Sequence, residues 1–278
     1  MLIENIYPHV FNNEYNGNIE PSPDDIVIVF NKNRDILIKK TSDNSYCCPT
    51  ASMIGYSELQ YLFKIDETSY YLFTSDIMPL IEDFEFIPTK YTRIMAPMEL
   101  SFGVMNARNL ANWYTNNKFC GRCGHKLRHS ENARSLVCDN CNNKIFPAIS
   151  PAIIVAVIDG NRILLTKSIG NPYGTRSLIA GFCEVGEKGE VTVAREVMEE
   201  VGLKVKNIKY FGSQSWGFNS NLMLAYTAEV DGDPSISLDD TELSDAWWVE
   251  REEIEPQYIP SIGCEMIQYF IDNGNFDY

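Results

Sequence analysis

Short apolar runs separated by polar turns dominate the first hundred residues. Ile26–Phe30 and Ile36–Lys39 flank Asn-Lys-Asn-Arg, while Tyr61–Ile65 and Tyr70–Thr74 flank Asp66-Glu67-Thr68, so two hairpins are predicted. The texture changes at Pro97. Leu100, Val104, Ala107, Leu110, Ala111 and Tyr114 recur at helical spacing and predict a helix running to about Asn116. Ala152–Ile158 is then a continuous apolar run, Asp159-Gly160-Asn161 turns, and Arg162–Thr166 returns, the pattern of a buried hairpin. Strands are expected at Ser177–Phe182, Val205–Phe211, Leu222–Val230 and Ala246–Val249, and helices at Glu190–Glu200 and Cys264–Asp272. Strands interspersed with helices imply an α/β sandwich. The shifts in pattern divide the chain into a β-rich domain (1–96), a linking helix (97–116), a cysteine module (117–147) and an α/β domain (148–278).

Composition adds limits to this picture. With 278 residues, 45% hydrophobic and 22% charged, the chain can bury the cores of two domains with a small module between them. No apolar stretch approaches the length of a membrane-spanning helix, and MLIENIYPHVFNNEY lacks both a basic leader and an apolar core. A cytoplasmic protein without a membrane partner is therefore expected, and its eight cysteines read as metal ligands or free thiols rather than disulfides. The adjacent Cys47 and Cys48 have no second pair nearby and read as plain thiols. A net charge of −15 argues against non-specific binding of nucleic acid by the molecule as a whole. An anionic substrate would have to be drawn in by metal ions and local basic residues. One such locality exists: residues 116–147 carry Lys118, Arg122, Lys126, Arg128, Arg134 and Lys144 against only Glu131 and Asp139.

That basic segment contains Cys120-Gly-Arg-Cys123 and Cys138-Asp-Asn-Cys141, two CxxC pairs fourteen residues apart. Each pair can chelate one ion from a tight knuckle, and four thiolates close a tetrahedral shell around Zn²⁺. Gly121 and Gly124 suit the turns of the knuckle. A closed four-cysteine site has no open position, so its role is structural. Such sites contribute roughly 10–16 kcal/mol in zinc-finger peptides, enough to decide whether a small, core-poor segment folds. His125 and His129 read as surface residues.

Residues 181–203, GFCEVGEKGEVTVAREVMEEVGL, carry the second chemical signal. On a helix Glu196, Glu199 and Glu200 stand at i, i+3 and i+4 and share one face. Like charges so placed destabilise an isolated helix by about 0.2–0.5 kcal/mol per pair, so a cation should compensate, and hard divalent ions are the natural candidates. Arg195 and Lys188 can offset part of the charge, Arg195 by holding a carboxylate bidentately. The glutamates alone would be consistent with a solvated acidic helix. Gly181, Glu187, Arg195 and Gly202 at fixed offsets are not explained that way. The segment resembles the Nudix box, G-x5-E-x7-R-E-U-x-E-E-x-G-U with U aliphatic, at every defined position.

The resemblance implies a Nudix α/β/α sandwich that binds Mg²⁺ or Mn²⁺ through Glu196, Glu199 and Glu200, the three catalytic candidates, with Glu199 as main metal ligand or base. It further implies metal contacts from the Ala180 carbonyl and from Glu242, with Asp245 a neighbouring acidic position. The order of domains is similar to that of the zinc-ribbon NADH pyrophosphatase family. That family's S-Q-P-W-P-F-P-x-S signature appears here as Ser213-Gln-Ser-Trp216-Gly-Phe218-Asn-Ser-Asn221. Ser213, Gln214, Trp216 and Phe218 match; Ser215, Gly217, Asn219 and Asn221 do not, and three prolines are lost. Each lost proline frees the loop by about 0.4–1 kcal/mol, which bears on substrate preference and not on hydrolysis. By resemblance Phe146, Phe182, Gln214, Trp216, Phe218 and Gly263 are substrate-binding, the two phenylalanines by stacking on a base ring, while Cys264 is structural. A homodimer is implied. The expected reaction is hydrolysis of NAD(H) to nicotinamide mononucleotide and AMP, and the same chemistry would release NAD from the 5′ end of capped RNA. The alternatives are a Nudix hydrolase of ADP-ribose or another nucleoside diphosphate derivative, and a non-catalytic zinc-ribbon regulator.

Overall fold

The computed structural model describes residues 2–169, 176–256 and 259–276. The chain divides into two compact units. Unit 1 comprises Met1–Leu2, Ile149–Trp216 and Asn221–Tyr278; unit 2 comprises Ile3–Ala148 and Gly217–Ser220.

Unit 2 begins with short strands, β1 (Phe11–Asn12), β2 (Ile26–Ile28), β3 (Asp35–Lys40) and β4 (Tyr46–Cys47), followed by one helical turn, α1 (Ala51–Ile54). Then come β5 (Leu59–Ile65), β6 (Thr68–Phe73), β7 (Glu85–Pro88) and the long α2 (Met98–Asn116). The β5–β6 hairpin turns at Asp66, whose φ is +52°, as predicted. The first predicted hairpin is only partly realised. The chain does turn at Asn31–Arg34, but β2 pairs in parallel with β6, and β3 joins β4 and β7 in a separate sheet. Val27 and Ile28 explain the difference. They are buried on opposite faces of β2, in two different apolar clusters, so the strand needs cover on both sides and takes its main partner elsewhere.

Helix α2 starts one residue beyond Pro97, as the periodicity predicts. Leu100, Phe102, Val104, Met105, Ala107 and Ala111 lie in the same cluster as Leu62 and Phe63 of β5, so α2 supplies part of the core of unit 2. Beyond it β8 (Arg128–His129), β9 (Leu136–Val137) and β10 (Lys144–Ile145) form a three-stranded antiparallel ribbon. The ribbon's own core is small: Cys120, Leu127, Leu136 and Cys138, with Trp113 from α2.

Unit 1 is built on β11 (Ser150–Asp159), β12 (Arg162–Ser168), β13 (Ile179–Phe182), α3 (Gly189–Val201), β14 (Val205–Trp216), β15 (Asn221–Val230), β16 (Leu243–Glu250) and α4 (Ile262–Asn273). The sheet order is β14-β15-β11-β12-β16, with β13 also paired to β11. The predicted β11–β12 hairpin forms but is short. Only Ile158↔Ile163 and Asp159↔Arg162 pair, after which β13 takes over the edge of β11 at residues 152–155. On its other edge β11 runs parallel to β15. Alternation along β11 then makes the layers: Ile153, Val155 and Val157 pack with Val193, Val197 and Val201 of α3, whereas Ala156 packs with Met266, Ile267 and Phe270 of α4. A sheet apolar on both faces between two helices is the expected α/β/α sandwich.

Candidate active site and zinc centre

The loop after β13 and the first three turns of α3 form one charged cleft of about 460 Å³, lined by Glu184, Arg195, Glu196, Glu199 and Glu242 with Ala152, Ala180, Gly181, Phe182, Asn221 and Met223. Local sequence explains how the helix is oriented. Val193, Val197 and Val201 are fully buried, and Glu196 and Glu200 ride the edge of that row, so burying the valines carries both carboxylates inward. Glu199 lies outside the row, and its side chain is 58% exposed. The three glutamates therefore share a helix face, as predicted, with unequal exposure. Gly202 ends the helix at φ +69°, its N–H donating to the Met198 carbonyl.

Gly181 is dictated by close approach. A Cβ there would collide with the carboxyl group of Glu196, so a bare backbone is what lets that carboxylate lie against β13. Arg195 ties the loop to the helix. Its Nε and Nη2 donate to the two oxygens of Glu187 at 2.9 and 3.0 Å, Nη2 also donates to the Phe182 carbonyl at 2.9 Å, and Nη1 reaches Glu196 and Glu199 at 2.8 Å each. Glu187 accepts further bonds from the Glu184 N–H and the Thr192 hydroxyl. With Arg195 as its strongest partner, Glu187 is held down at about 2. Lys188, exposed at the N-cap of α3, adds no side-chain cap.

The inner carboxylates behave in the opposite way. Burial raises Glu196, against the pull of Arg195. Burial pushes Glu200 up to about 8, reinforced by the charges of Glu196, Glu242, Asp239 and Glu199. Its Oε2 is buried without a hydrogen-bond partner. A buried carboxylate oxygen left unpaired among four other carboxylates is costly unless a cation joins them. The donor set, all hard oxygen, fits a divalent cation such as Mg²⁺ or Mn²⁺.

Four thiols make the other centre. The ligand atoms of Cys120, Cys123, Cys138 and Cys141 all lie within 4.8 Å of one another, the only such His/Cys/Asp/Glu group among the described residues. Three Sγ–Sγ separations are 3.4–3.6 Å. A tetrahedron with Zn–S bonds of about 2.3 Å has edges near 3.8 Å, so the set fits zinc. The two knuckles repeat one another: the N–H of Gly124 donates to the Cys120 carbonyl, and that of Asn142 to the Cys138 carbonyl. Gly124 and Asn142 occupy the same left-handed position, at φ +74° and +56°. Gly121 takes no such conformation, so only one of the two predicted turn glycines is required. His125 and His129 are exposed, as expected.

Residues 149–270 match the NUDIX domain family, and residues 115–146 match the NADH pyrophosphatase zinc ribbon domain. Two family models thus match in succession along the chain, the zinc ribbon first and the NUDIX domain after it. Relatives include the NAD-capped RNA hydrolase NudC of Enterobacter sp. (strain 638), 44% identical over 146 residues covering 52% of this chain and 56% of the relative. The NAD-capped RNA hydrolase NudC of Erwinia tasmaniensis is 45% identical over 139 residues, covering 50% and 53%. The chain thus spans about half the length of the curated relatives it matches. A NUDIX hydrolase of known structure from Nitrosomonas europaea is 23% identical, covering 56% of this chain and 90% of that one, with a TM-score of 0.49.

Within unit 1 the cleft gathers Ala180, Phe182, Glu196, Glu199 and Glu242, all singled out by sequence, with Glu200 behind them. Asp245 sits on β16 opposite Lys167 and does not line the cleft. Gln214 is buried at the end of β14, where its Oε1 accepts from the Ile262 N–H at 2.8 Å and holds the start of α4. Gly263 is buried in the first turn of α4, where a Cβ would press on Ile154. Trp216 ends β14, cross-strand from Asn221. Phe218 packs against the core of unit 2, with the Arg93 and Arg108 guanidinium groups 5.9 Å from its ring centre. Phe146 belongs to unit 2 and is exposed.

Four lining residues, Ala152 of β11 among them, escaped sequence reasoning. Glu184 falls within the undefined five-residue stretch of the box. Met223 carries no chemical signal. Asn221 registered only as a departure from the signature, yet it is 9% exposed and its Oδ1 is buried without a partner. Gly217, another departure, has a packing reason: a Cβ there would lie 2.7 Å from the Met105 carbonyl of α2, so proline would not fit.

Proposed function

We propose that this chain hydrolyses the pyrophosphate bond of NAD(H), with Mg²⁺ or Mn²⁺, to nicotinamide mononucleotide and AMP, and that it removes NAD from the 5′ end of capped RNA. The observation that carries this reading is the cleft itself: four carboxylates and Arg195 line it, an unpaired, buried Glu200 oxygen lies in the same helix as Arg195, and the segment matches the NUDIX family just after a match to the zinc ribbon. The kinship with proteins named NAD-capped RNA hydrolase supports the choice of substrate.

Glu196, Glu199, Glu200, Glu242 and the Ala180 carbonyl would hold the divalent ions. Bound there, such ions neutralise pyrophosphate oxygens and assist attack by water. The protein's own residues do the rest. Glu187 fixes the plane of Arg195, and Arg195 orients Glu196 and Glu199 toward the cleft. Glu199, the most exposed of the three, would act as ligand or as base toward the attacking water. Phe182, 54% exposed on the cleft wall, offers a ring face for stacking on a base. Phe146, Trp216 and Phe218 are proposed to complete the substrate contacts, with Gln214 and Gly263 supporting them from the core. A structural zinc in the ribbon, a homodimer and a cytoplasmic location complete the proposal. No helix among the described residues is long and apolar enough to cross a membrane.

ADP-ribose is the second reading, favoured by the signature loop, which carries Ser215, Gly217 and Asn219 where the family has prolines. Purified protein with Mg²⁺ or Mn²⁺ should be offered NADH, NAD⁺, NAD-capped RNA, ADP-ribose and diadenosine diphosphate, with products separated by chromatography. A much higher kcat/KM for ADP-ribose than for NADH would defeat the dinucleotide reading. Turnover of none of them would favour a regulator.

A further inference from the structure

Unit 2 contains a second cleft, of about 550 Å³, bounded by the β2–β3 turn, the segment after β6, the last turn of α2 and the zinc ribbon. Its charge is opposite to that of the molecule. Lys32, Arg34, Lys118 and Lys126 line it against the single carboxylate of Asp76, in a chain of net charge −15. None of the four cations has a carboxylate within ion-pair distance among the described residues; Lys32, Lys118 and Lys126 are exposed and Arg34 is half-buried. Half-buried Phe73 and Tyr114 share the walls, Phe73 packed on the apolar cluster of Val27 and Leu37 and Tyr114 flanked by the rings of Trp113 and His129 at 4.6 and 4.9 Å.

One feature of the fold opposes an anion here. The C-terminal end of α2 carries a partial negative charge equivalent to about half an electron. The Thr115 hydroxyl and the Asn117 amide donate to the carbonyls of Ala111 and Trp113, which blunts it. Four cations outweigh the remainder together with Asp76. A concave surface of mostly one sign focuses its field, and four cations without a carboxylate partner at ion-pair distance, gathered in one groove, are what the phosphates of a single strand need.

We propose that this cleft binds a single-stranded segment of RNA. The inference rests on the reading that capped RNA is a substrate, and it assigns the chain beyond the cap to a site on unit 2. The sequence alone pointed to the ribbon as basic. It did not show that Lys118 and Lys126 share a cleft with Lys32 and Arg34, some ninety residues earlier in the chain.

The test uses the full-length, zinc-loaded protein and a fluorescent single-stranded RNA of roughly twelve nucleotides with a 5′-hydroxyl, so that no pyrophosphate is present. Anisotropy is measured between ~50 and ~200 mM salt. Lys32→Glu, Lys118→Glu and Lys126→Glu combined should weaken binding at least about tenfold. They should also flatten the log–log salt slope by about 2, from three phosphate contacts at roughly 0.7 each. NADH turnover should be unchanged. A control of equal charge, Lys40→Glu, Lys64→Glu and Lys204→Glu, should bind as the wild type does. If the triple variant loses zinc, Lys32→Glu alone, on a turn outside the ribbon, should still weaken binding severalfold. The proposal is overturned if wild type does not bind the RNA, if the cleft variants bind unchanged, or if the control set loses as much. Cleft-dependent binding without hydrolysis of any substrate would leave this inference standing and defeat the proposed activity; hydrolysis without binding would do the reverse.

Discussion

Gly181→Ala is the most discriminating single substitution, because it adds one methyl group and moves one carboxylate. The new Cβ would meet the Glu196 carboxyl group far inside the ~3.5 Å of an ordinary carbon contact. The neighbour that must yield is the far end of a flexible side chain, so Glu196 retreats by about 1 Å or more while β13 stays in register with β11. Its bond to Arg195 is lost, but burial already opposes its charge, so part of that loss is recovered on exposure. Overpacking of this kind costs about 1–3 kcal/mol, and for a domain of this size each kcal/mol lowers Tm by about 2–4 °C. A catalytic group displaced by about 1 Å costs on the order of a hundredfold in rate, or about 2.7 kcal/mol in the barrier. The expected variant thus folds, melts several degrees early, and turns over NADH about a hundredfold more slowly. Steady-state kinetics at saturating divalent ion, paired with calorimetry, provide the check. A kcat within threefold of wild type would refute the placement of Glu196 in the mechanism.

Glu187 governs a pH response. Its pKa in the folded protein is depressed to about 2 from the ordinary 4.5, so it stabilises the fold fully above pH 4.5 and loses that contribution as pH falls toward 2. Glu187→Gln should lower stability near neutrality and show a shallower acid loss across that window; parallel titration curves for both proteins would contradict the Arg195 clamp. Replacing Cys120 and Cys123 by Ser should release the metal, measured by elemental analysis, and lower Tm sharply, because only five buried side chains support the ribbon. Unchanged Tm would exclude a structural zinc. Gly217→Pro, which restores the family residue, should destabilise the protein by about 1–3 kcal/mol in denaturant titrations, since its ring atoms meet the Met105 backbone. A stabilised variant would show that the signature loop is not packed on α2.

What could be read without the fold is what is encoded within a few turns of chain. The box residues lie inside 23 consecutive positions and the four thiols inside 22, so helical periodicity and knuckle spacing alone place Glu196 with Glu200 and Cys120 with Cys123. The valine row of α3 and the alternation of β11 likewise foretell which faces are buried, because burial follows the local period of the backbone. Strand partners are another matter. Pairing is set by register between distant segments, and each strand's hydrogen-bonding edges are alike, so β2 joining β6 and β13 displacing β12 along β11 leave no local trace. For the same reason Asn221 reached the cleft wall and Gln214 the start of α4 unannounced. Gly217 looked like an eroded signature until the backbone of α2 was seen to leave no room for a side chain. The chain's local spacing determined the chemistry it can hold; the packing of its sheets and helices decided which residues surround that chemistry, since only folding brings such distant atoms within contact.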